Sequence, residues 1–500
     1  TNSLGEFAFY AANGRYSLSV SATNFVAENF TDFIMYDPAD IGAVAASGVA
    51  FTPFGTIAAT NVQNAIQEVV ADLAGASGSS LVGFLQSGTG AVTRTVQAKA
   101  RDFVSVMDFG ATGDGTTDDT AAIQAAITAV TDGGTVYLPA GSFLLATATG
   151  SRILQITKRI QIIGDGWDSI LLVGSSIGAT VDVIQIQPPT AGGVQGMRLQ
   201  NFYITKQSGT PARNGIAVDG TNGPVGYFVV DHVRVDQLGG KAFAVTNAGS
   251  LATGTPYIAT FRDSLFTGGM DLTNAGDNIR IDSCQMGGTG SLIVSIVPSA
   301  YDGGGHGFLM LNCNITLSGG TVVNNAWQGA IQNCNLEQTV ATTSANSTVI
   351  DIQGNATYPI TNFKVIGNFI GANSTYVANA VRIDRAVATI ISDNYVVRGS
   401  GVAYLTTANA DRTQILANRQ SPAEAITVWL SNSGTNTFVD YINQSTGVHS
   451  LTLPFALTTV GGTVALATNG ATQVKASSAT ALGFSSGADP SATGMDTSLS

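Results

Sequence analysis

Charge is scarce in this chain. Lys, Arg, Asp and Glu make up 11% of 500 residues, against about 25% in an ordinary soluble domain. Basic residues are the scarcer sign, 21 against 33 acids, for a net charge of −12. A field of that sign disfavours nucleic acid and anionic membrane surfaces as partners. Long apolar runs are missing too, so nothing reads as a membrane span, and no basic segment with an apolar stretch opens the chain as a secretion signal. Cysteine is limited to Cys284, Cys313 and Cys334. An odd set of three is no disulfide framework, which fits synthesis in a reducing cytoplasm.

What the chain does have is glycine (59 residues) and a 44% apolar content. Frequent turns between short apolar strands suit that mixture better than long amphipathic helices. A six-residue pattern then recurs: apolar, any, turn-type, inward-sized, any, apolar. It reads LQNFYI from Leu199, VDHVRV from Val230, FRDSLF from Phe261, IDSCQM from Ile281 and MLNCNI from Met310. It continues as IQNCNL from Ile331, VIGNFI from Val365, ISDNYV from Ile391 and, weakly, LANRQS from Leu416. The third position holds Asn201, His232, Asp263, Ser283, Asn312, Asn333, Gly367, Asp393 and Asn418, at intervals of 20 to 34 residues. Constant strand-turn cores separated by variable spacers are the mark of a β-helix, whose loops grow at one corner without disturbing the stack. The third position reads as a tight corner in the left-handed backbone region. The three cysteines fall at the fourth position of successive copies. They are expected to stack inside as small unlinked fillers rather than as a metal cluster.

Upstream, the Asp-Gly steps of MDFGATGDGTTDDT make turns, and Asp118 or Asp119 can cap a following helix. Asp114, Asp118 and Asp119 together could suggest calcium, but turn and cap duties account for all three. Ile123, Ile127 and Val130 then share one helical face, suited to covering the open first coil. The run DFGATGDGTTDDTAAIQAAI followed by TVYLPAGSF strongly resembles the start of the pectate-lyase-like superfamily in bacteriophage tailspikes. The run SLVGFLQSGTGAVTRTVQAKARDFVSV, from Ser80, resembles the neck joining such β-helices to a particle-binding head, and FTPFGTIAATNVQNAIQEVVADL, from Phe51, resembles phage tail-fibre segments. These runs cover residues 51 to 143, and the coil pattern carries the reading to about 420.

The expected architecture is therefore all-β: a right-handed parallel β-helix over 106–419 with an N-terminal capping helix. A small β-module (1–50), a helical neck (51–105) and a C-terminal β or stalk region (420–500) complete it. In the neck, Thr60 and Gln63 form a possible capping box. Val62, Ile66, Val69 and Leu73 make a two-heptad stripe that packs on its own head or joins copies in a trimer. The absent starting Met and the fibre-like end suggest that the natural chain extends further. The resemblance implies a virion component, made in the host cytoplasm, that trimerises. It implies attachment to phage tail or adaptor proteins through the N-terminal region and binding, often cleavage, of host surface polysaccharide.

For that chemistry, strands on adjacent coils bring carboxylates within the separations that glycoside hydrolysis uses. Glu337 is the only glutamate between residues 101 and 420. It is the first candidate as general acid, with Asp302 as base or nucleophile. Trp327, Tyr301 and His306 are candidate sugar contacts. Asp271, Asp277 and Asp351 stand in reserve. No metal or cofactor is implied. A lyase is disfavoured on this surface, because Tyr301 to Asn362 contains no Lys or Arg to neutralise a uronate. A non-enzymatic adhesin or structural spike remains the other reading.

Overall fold

A computed structural model of the chain describes residues 11–12, 14–21, 23, 26–35, 45–189, 193–209, 212–236, 238–247, 256–272, 275–289, 306–318, 328–338, 347–354, 359–372, 377–397, 402–420, 428–442 and 449–452. They fall into two units, residues 1–102 and 103–500.

In the smaller unit, strands Gly14–Val20 and Glu28–Met35 pair antiparallel. Helix α1 (Val62–Ala74) is capped by Asn61, whose side chain accepts the Asn64 amide proton at 2.8 Å. Thr60 is thus not the cap, and the Thr60–Gln63 box does not form: Asn at the next position is the stronger cap residue. Ala65 alone is buried on α1, while Ile66, Val69 and Leu73 are exposed within the single chain. Helix α2 (Val96–Ala100) is capped by Thr95. Among the described residues, no helix is long and apolar enough to cross a membrane.

The larger unit is a β-helix of three parallel sheets. The ladder begins at Phe103–Ser105, which pairs in parallel with Thr135–Leu138. Helix α3 (Thr120–Ala129) buries Ile123 and Ile127, with Val130 just beyond it, against the first coils. Asp119 holds the cap position without a side-chain cap bond, and the Asp118 side chain accepts the Thr120 N–H at 3.1 Å. Asp119 instead clamps the preceding loop through the N–H groups of Thr112 and Gly113. Asp114 closes its own turn onto Thr116 and Thr117.

Successive coils stack strand on strand in these sheets. In the first sheet, Leu199, Val230, Phe261, Ile281, Met310, Ile331, Val365, Ile391 and Ile415 stack inward in register. All nine are buried to within about 1% exposure, so the six-residue pattern is one face of a continuous core. The second sheet lies just past the corner, and Arg198–Lys206 and Val225–Val235 run through both. The third comprises Arg152–Ile156, Asp182–Ile186, Ile216–Asp219, Phe243–Asn247 and Met270–Asp271, followed by a separate stack of Ser347–Gln353, Val377–Asp384, Val402–Thr406 and Val428–Asn432.

The corner between the first two sheets is a left-handed column. Asn201, His232, Asp263, Ser283, Asn312, Asn333, Gly367 and Asp393 all have φ between 49° and 69°. In the ninth coil the left-handed residue is Ala417 (φ 49°), and Asn418 is buried one position further on. That copy therefore starts at Ile415, one residue earlier than the expected Leu416. The fourth-position column behind the corner holds Ser264, Cys284, Cys313, Cys334, Asn368, Asn394 and Asn418, all at most 4% exposed. The cysteines are free and buried, and burial pushes the Cys284 thiol up to about 12. Where asparagine replaces cysteine, each amide oxygen accepts the backbone N–H one coil earlier. Cys334 donates to Asn368 at 2.9 Å, Asn368 to Asn394 at 3.0 Å and Asn394 to Asn418 at 3.0 Å.

Candidate functional site

Glu337 sits on Asn335–Gln338 in the second sheet, half-buried, with Thr316 and Gly371 as its register partners. Leu336 points into the core at 0% exposure, so alternation aims Glu337 outward. A side chain at Gly371 would begin 3.4 Å from the Glu337 methylene; glycine there leaves the flank of the carboxylate open.

Two outward rows run along this sheet. The row of Glu337 reads Thr267, Gly287, Thr316, Glu337, Gly371 and Val397. Its neighbour reads Tyr203, Arg234, Leu265, Gln285, Asn314, Asn335, Phe369 and Tyr395. Asn335 donates to Asn314 at 3.3 Å, and the rings of Phe369 and Tyr395 stack with centroids 5.9 Å apart. Small residues and amides thus surround the acid, with aromatics beyond them.

At the other end, Arg234 lies over the Tyr203 ring at 4.5 Å and over Trp167 at 5.6 Å. Its guanidinium pairs with Asp236 at 2.7 Å, and Tyr203 donates its hydroxyl to the same carboxylate at 2.6 Å. Burial, then that hydrogen bond, raises the Tyr203 phenol above its ordinary range. Sequence reasoning missed this cluster. Its signal was the interval of 31 residues between Tyr203 and Arg234, a coil length repeated on the outward face. Asp236 is in register with Thr267, the residue after Val235 and Phe266. It is therefore four coils from Glu337, about 19 Å at ~4.8 Å per strand, beyond the ~9.5 Å limit for a carboxylate pair.

Among the described residues of its two rows, Glu337 meets no second carboxylate within two coils. Tyr301, Asp302 and Trp327 lie outside the described residues. His306, a candidate sugar contact, opens a first-sheet strand, His306–Leu311, where its backbone pairs with Gln328. Of the reserves, Asp271 ends a third-sheet strand beside Lys241. Asp277 sits at a second corner, where its carbonyl accepts the Ile258 N–H. Asp351 is clamped by Arg382 through two contacts of 2.9 Å. Burial pushes its carboxyl up, opposed by Arg382, whereas Asp384 one coil on is held down, burial there being outweighed by hydrogen bonds from Thr407 and Asn409. With both oxygens held by one guanidinium, Asp351 is placed as a coil-to-coil staple rather than a proton donor.

Among the described residues, one cluster groups cation-type ligands: Asp231, His232 and Asp263 at the corner. Asp231 already accepts from Arg262 at 2.5 Å, from Gln200 at 3.0 Å and stands 2.6 Å from the His232 ring, so its oxygens are in use.

Comparison with known proteins bears on the fold. Residues 103–276 match the family model described as rhamnogalacturonase A/epimerase, pectate lyase-like. The chain is 32% identical over 169 residues to the tail spike protein of Shigella phage Sf6, covering 32% of this chain and 26% of that one. It is also 32% identical over 148 residues to a probable glucan endo-1,3-beta-glucosidase of Arthroderma benhamiae, covering 28% and 16%. The matched segments are thus small parts of these relatives' length. Among solved structures, the tailspike protein of E. coli bacteriophage HK620 in complex with a pentasaccharide aligns with a TM-score of 0.52 at 15% identity, over 75% of this chain and 71% of that one. The larger unit thus has the parallel β-helix fold of that tailspike, with the pectate lyase-like family match confined to residues 103–276.

Proposed function

We propose that this protein is a homotrimeric bacteriophage tailspike that binds and hydrolyses host surface polysaccharide during adsorption. The observation that carries the reading is the outward face of the second sheet, where one acid, Glu337, stands half-buried with an open flank among small and amide side chains on this fold. Glu337 is the general acid and Asp302 the base or nucleophile, with Trp327, Tyr301 and His306 contacting sugar. Hydrolysis is favoured over elimination because neither row carries a cation between Leu265 and Val397 to neutralise a uronate. The exposed Ile66, Val69 and Leu73 stripe of α1 supports self-association, since β-branched and Leu seams suit trimers. Residues 1 to about 105 serve attachment to the phage tail.

Purified protein incubated with polysaccharide from a susceptible host should release new reducing ends without absorbance at 232 nm. Release of 232 nm absorbance would make it a lyase, and binding without either signal would make it an adhesin. Deleting residues 1–102, which leaves the first ladder strand in place, should abolish incorporation into virions while leaving cleavage intact.

A further inference from the structure

We infer that the two outward rows of the second sheet form one continuous track for an uncharged, hydroxyl-rich polysaccharide laid parallel to the helix axis. The inference rests on the tailspike reading above and specifies its ligand. From Tyr203 to Tyr395 the row makes seven register steps. At ~4.8 Å each they span about 34 Å, room for several sugar rings in file. Both ends are aromatic: Trp167 and Tyr203 under Arg234, and Phe369 stacked on Tyr395. Trp167 and Tyr395 remain 43% and 36% exposed, so each keeps surface on which an apolar sugar face can pack. Between the ends lie the exposed amides of Gln285 and Asn314, which both donate and accept and so match hydroxyl groups of either sense, while half-buried Asn335 donates to Asn314. Gly287 and Gly371 flank the pair Thr316 and Glu337, so a gap one coil wide opens beside the acid at Gly371.

Charge decides the class of glycan. From Leu265 through Val397 the two rows contain one ionisable acid, Glu337, and no Lys or Arg. The cation at the near end, Arg234, is already neutralised by Asp236. A chain of uronates on this track would bring repeated negative charge beside Glu337 with nothing to offset it. A neutral chain meets amides, hydroxyls and ring faces instead.

The full chain is applied to an array of purified bacterial surface polysaccharides, uncharged and uronic-acid-bearing, and the strongest binder is cut into graded fragments for titration calorimetry. The strongest signals should fall on uncharged chains, with affinity climbing as fragments lengthen across the track. Tyr395→Ala should weaken binding of long fragments about tenfold and leave the shortest unchanged, whereas Tyr395→Phe should bind normally. Strongest binding to uronic-acid polymers overturns the charge argument. Affinity that stops growing at the shortest fragments, with Tyr395→Ala silent, overturns the track while leaving a tailspike with a compact site. Binding to no polysaccharide overturns both readings.

Discussion

The first and second sheets share one backbone path, one register and one corner column, yet their outward faces are built for different ends. On the first, carboxylates find partners in the fold. Asp231 takes Arg262, Gln200 and His232, and Asp282 takes Arg280 at 2.7 Å and Asn312 at 3.1 Å. On the second, past Arg234, the side chains are amides, small residues, aliphatic and aromatic groups and one acid, with no cation in its rows. Polar groups satisfied internally hold coils together, whereas polar groups left to solvent are available to a ligand. Position in the repeat sets the fold, and outward chemistry at equivalent positions sets which face works.

That contrast can be broken by mutation. The largest stability effect should come from inside. Asn394→Ala removes the acceptor for the Asn368 N–H and the donor to the Val365 carbonyl, stranding buried backbone groups. A loss of about 2–3 kcal/mol is expected in denaturant titration. Cys313→Ala, in the same column, should cost less, because its sulfur packs more than it bonds.

On the first face, Arg262→Ala leaves Asp231, 5% exposed, with only Gln200 and His232. Half of the Arg262 side chain is in solvent, so screening limits the loss to about 1 kcal/mol. On the second face, Asn314→Ala should change stability by less than about 0.5 kcal/mol while weakening glycan binding. Equal destabilisation by Arg262→Ala and Asn314→Ala would erase the proposed difference between the faces.

Acid should sharpen the same contrast at smaller amplitude. The Asp231 and Asp282 carboxyls are held below their usual range. At Asp231 burial is outweighed by Arg262, His232 and Gln200; at Asp282 the Arg280 hydrogen bond leads. Groups with depressed folded values stabilise above the unfolded value, about 3.9, and lose that contribution as pH falls through the folded one. Asp351, raised chiefly by burial, has the opposite sign and relieves strain on protonation. Unfolding followed from pH 6 to pH 2 should therefore show stability falling below about pH 4, with the fall reduced in Asp282→Asn.

The coils were legible because each inward apolar residue, from Leu199 to Ile391, must recur once per turn of the helix. The corner was legible because its left-handed backbone selects Asn, Asp and Gly. The ninth copy was misread for a physical reason: an asparagine suits a left-handed corner and a buried hydrogen-bond ladder equally well, and Asn418 does the second. Glu337 was singled out by its rarity. The Trp167–Tyr203–Arg234 cluster was not, because Trp167 joins the others only across coils and its sequence position carries no periodic signal. Tyr301, Asp302 and Trp327 belong to spacers, whose lengths the repeat leaves free.

The central claim is that the second-sheet face binds glycan and that Glu337 cleaves it. Glu337→Gln keeps the size and most hydrogen bonds of the carboxyl but cannot donate a proton to the leaving oxygen. Assayed with a polysaccharide that the wild-type chain degrades, it should lose about 10²–10⁴-fold in kcat while glycan affinity stays within a few-fold of wild type. Full turnover by Glu337→Gln would contradict the account and move the chemistry to another face of the helix.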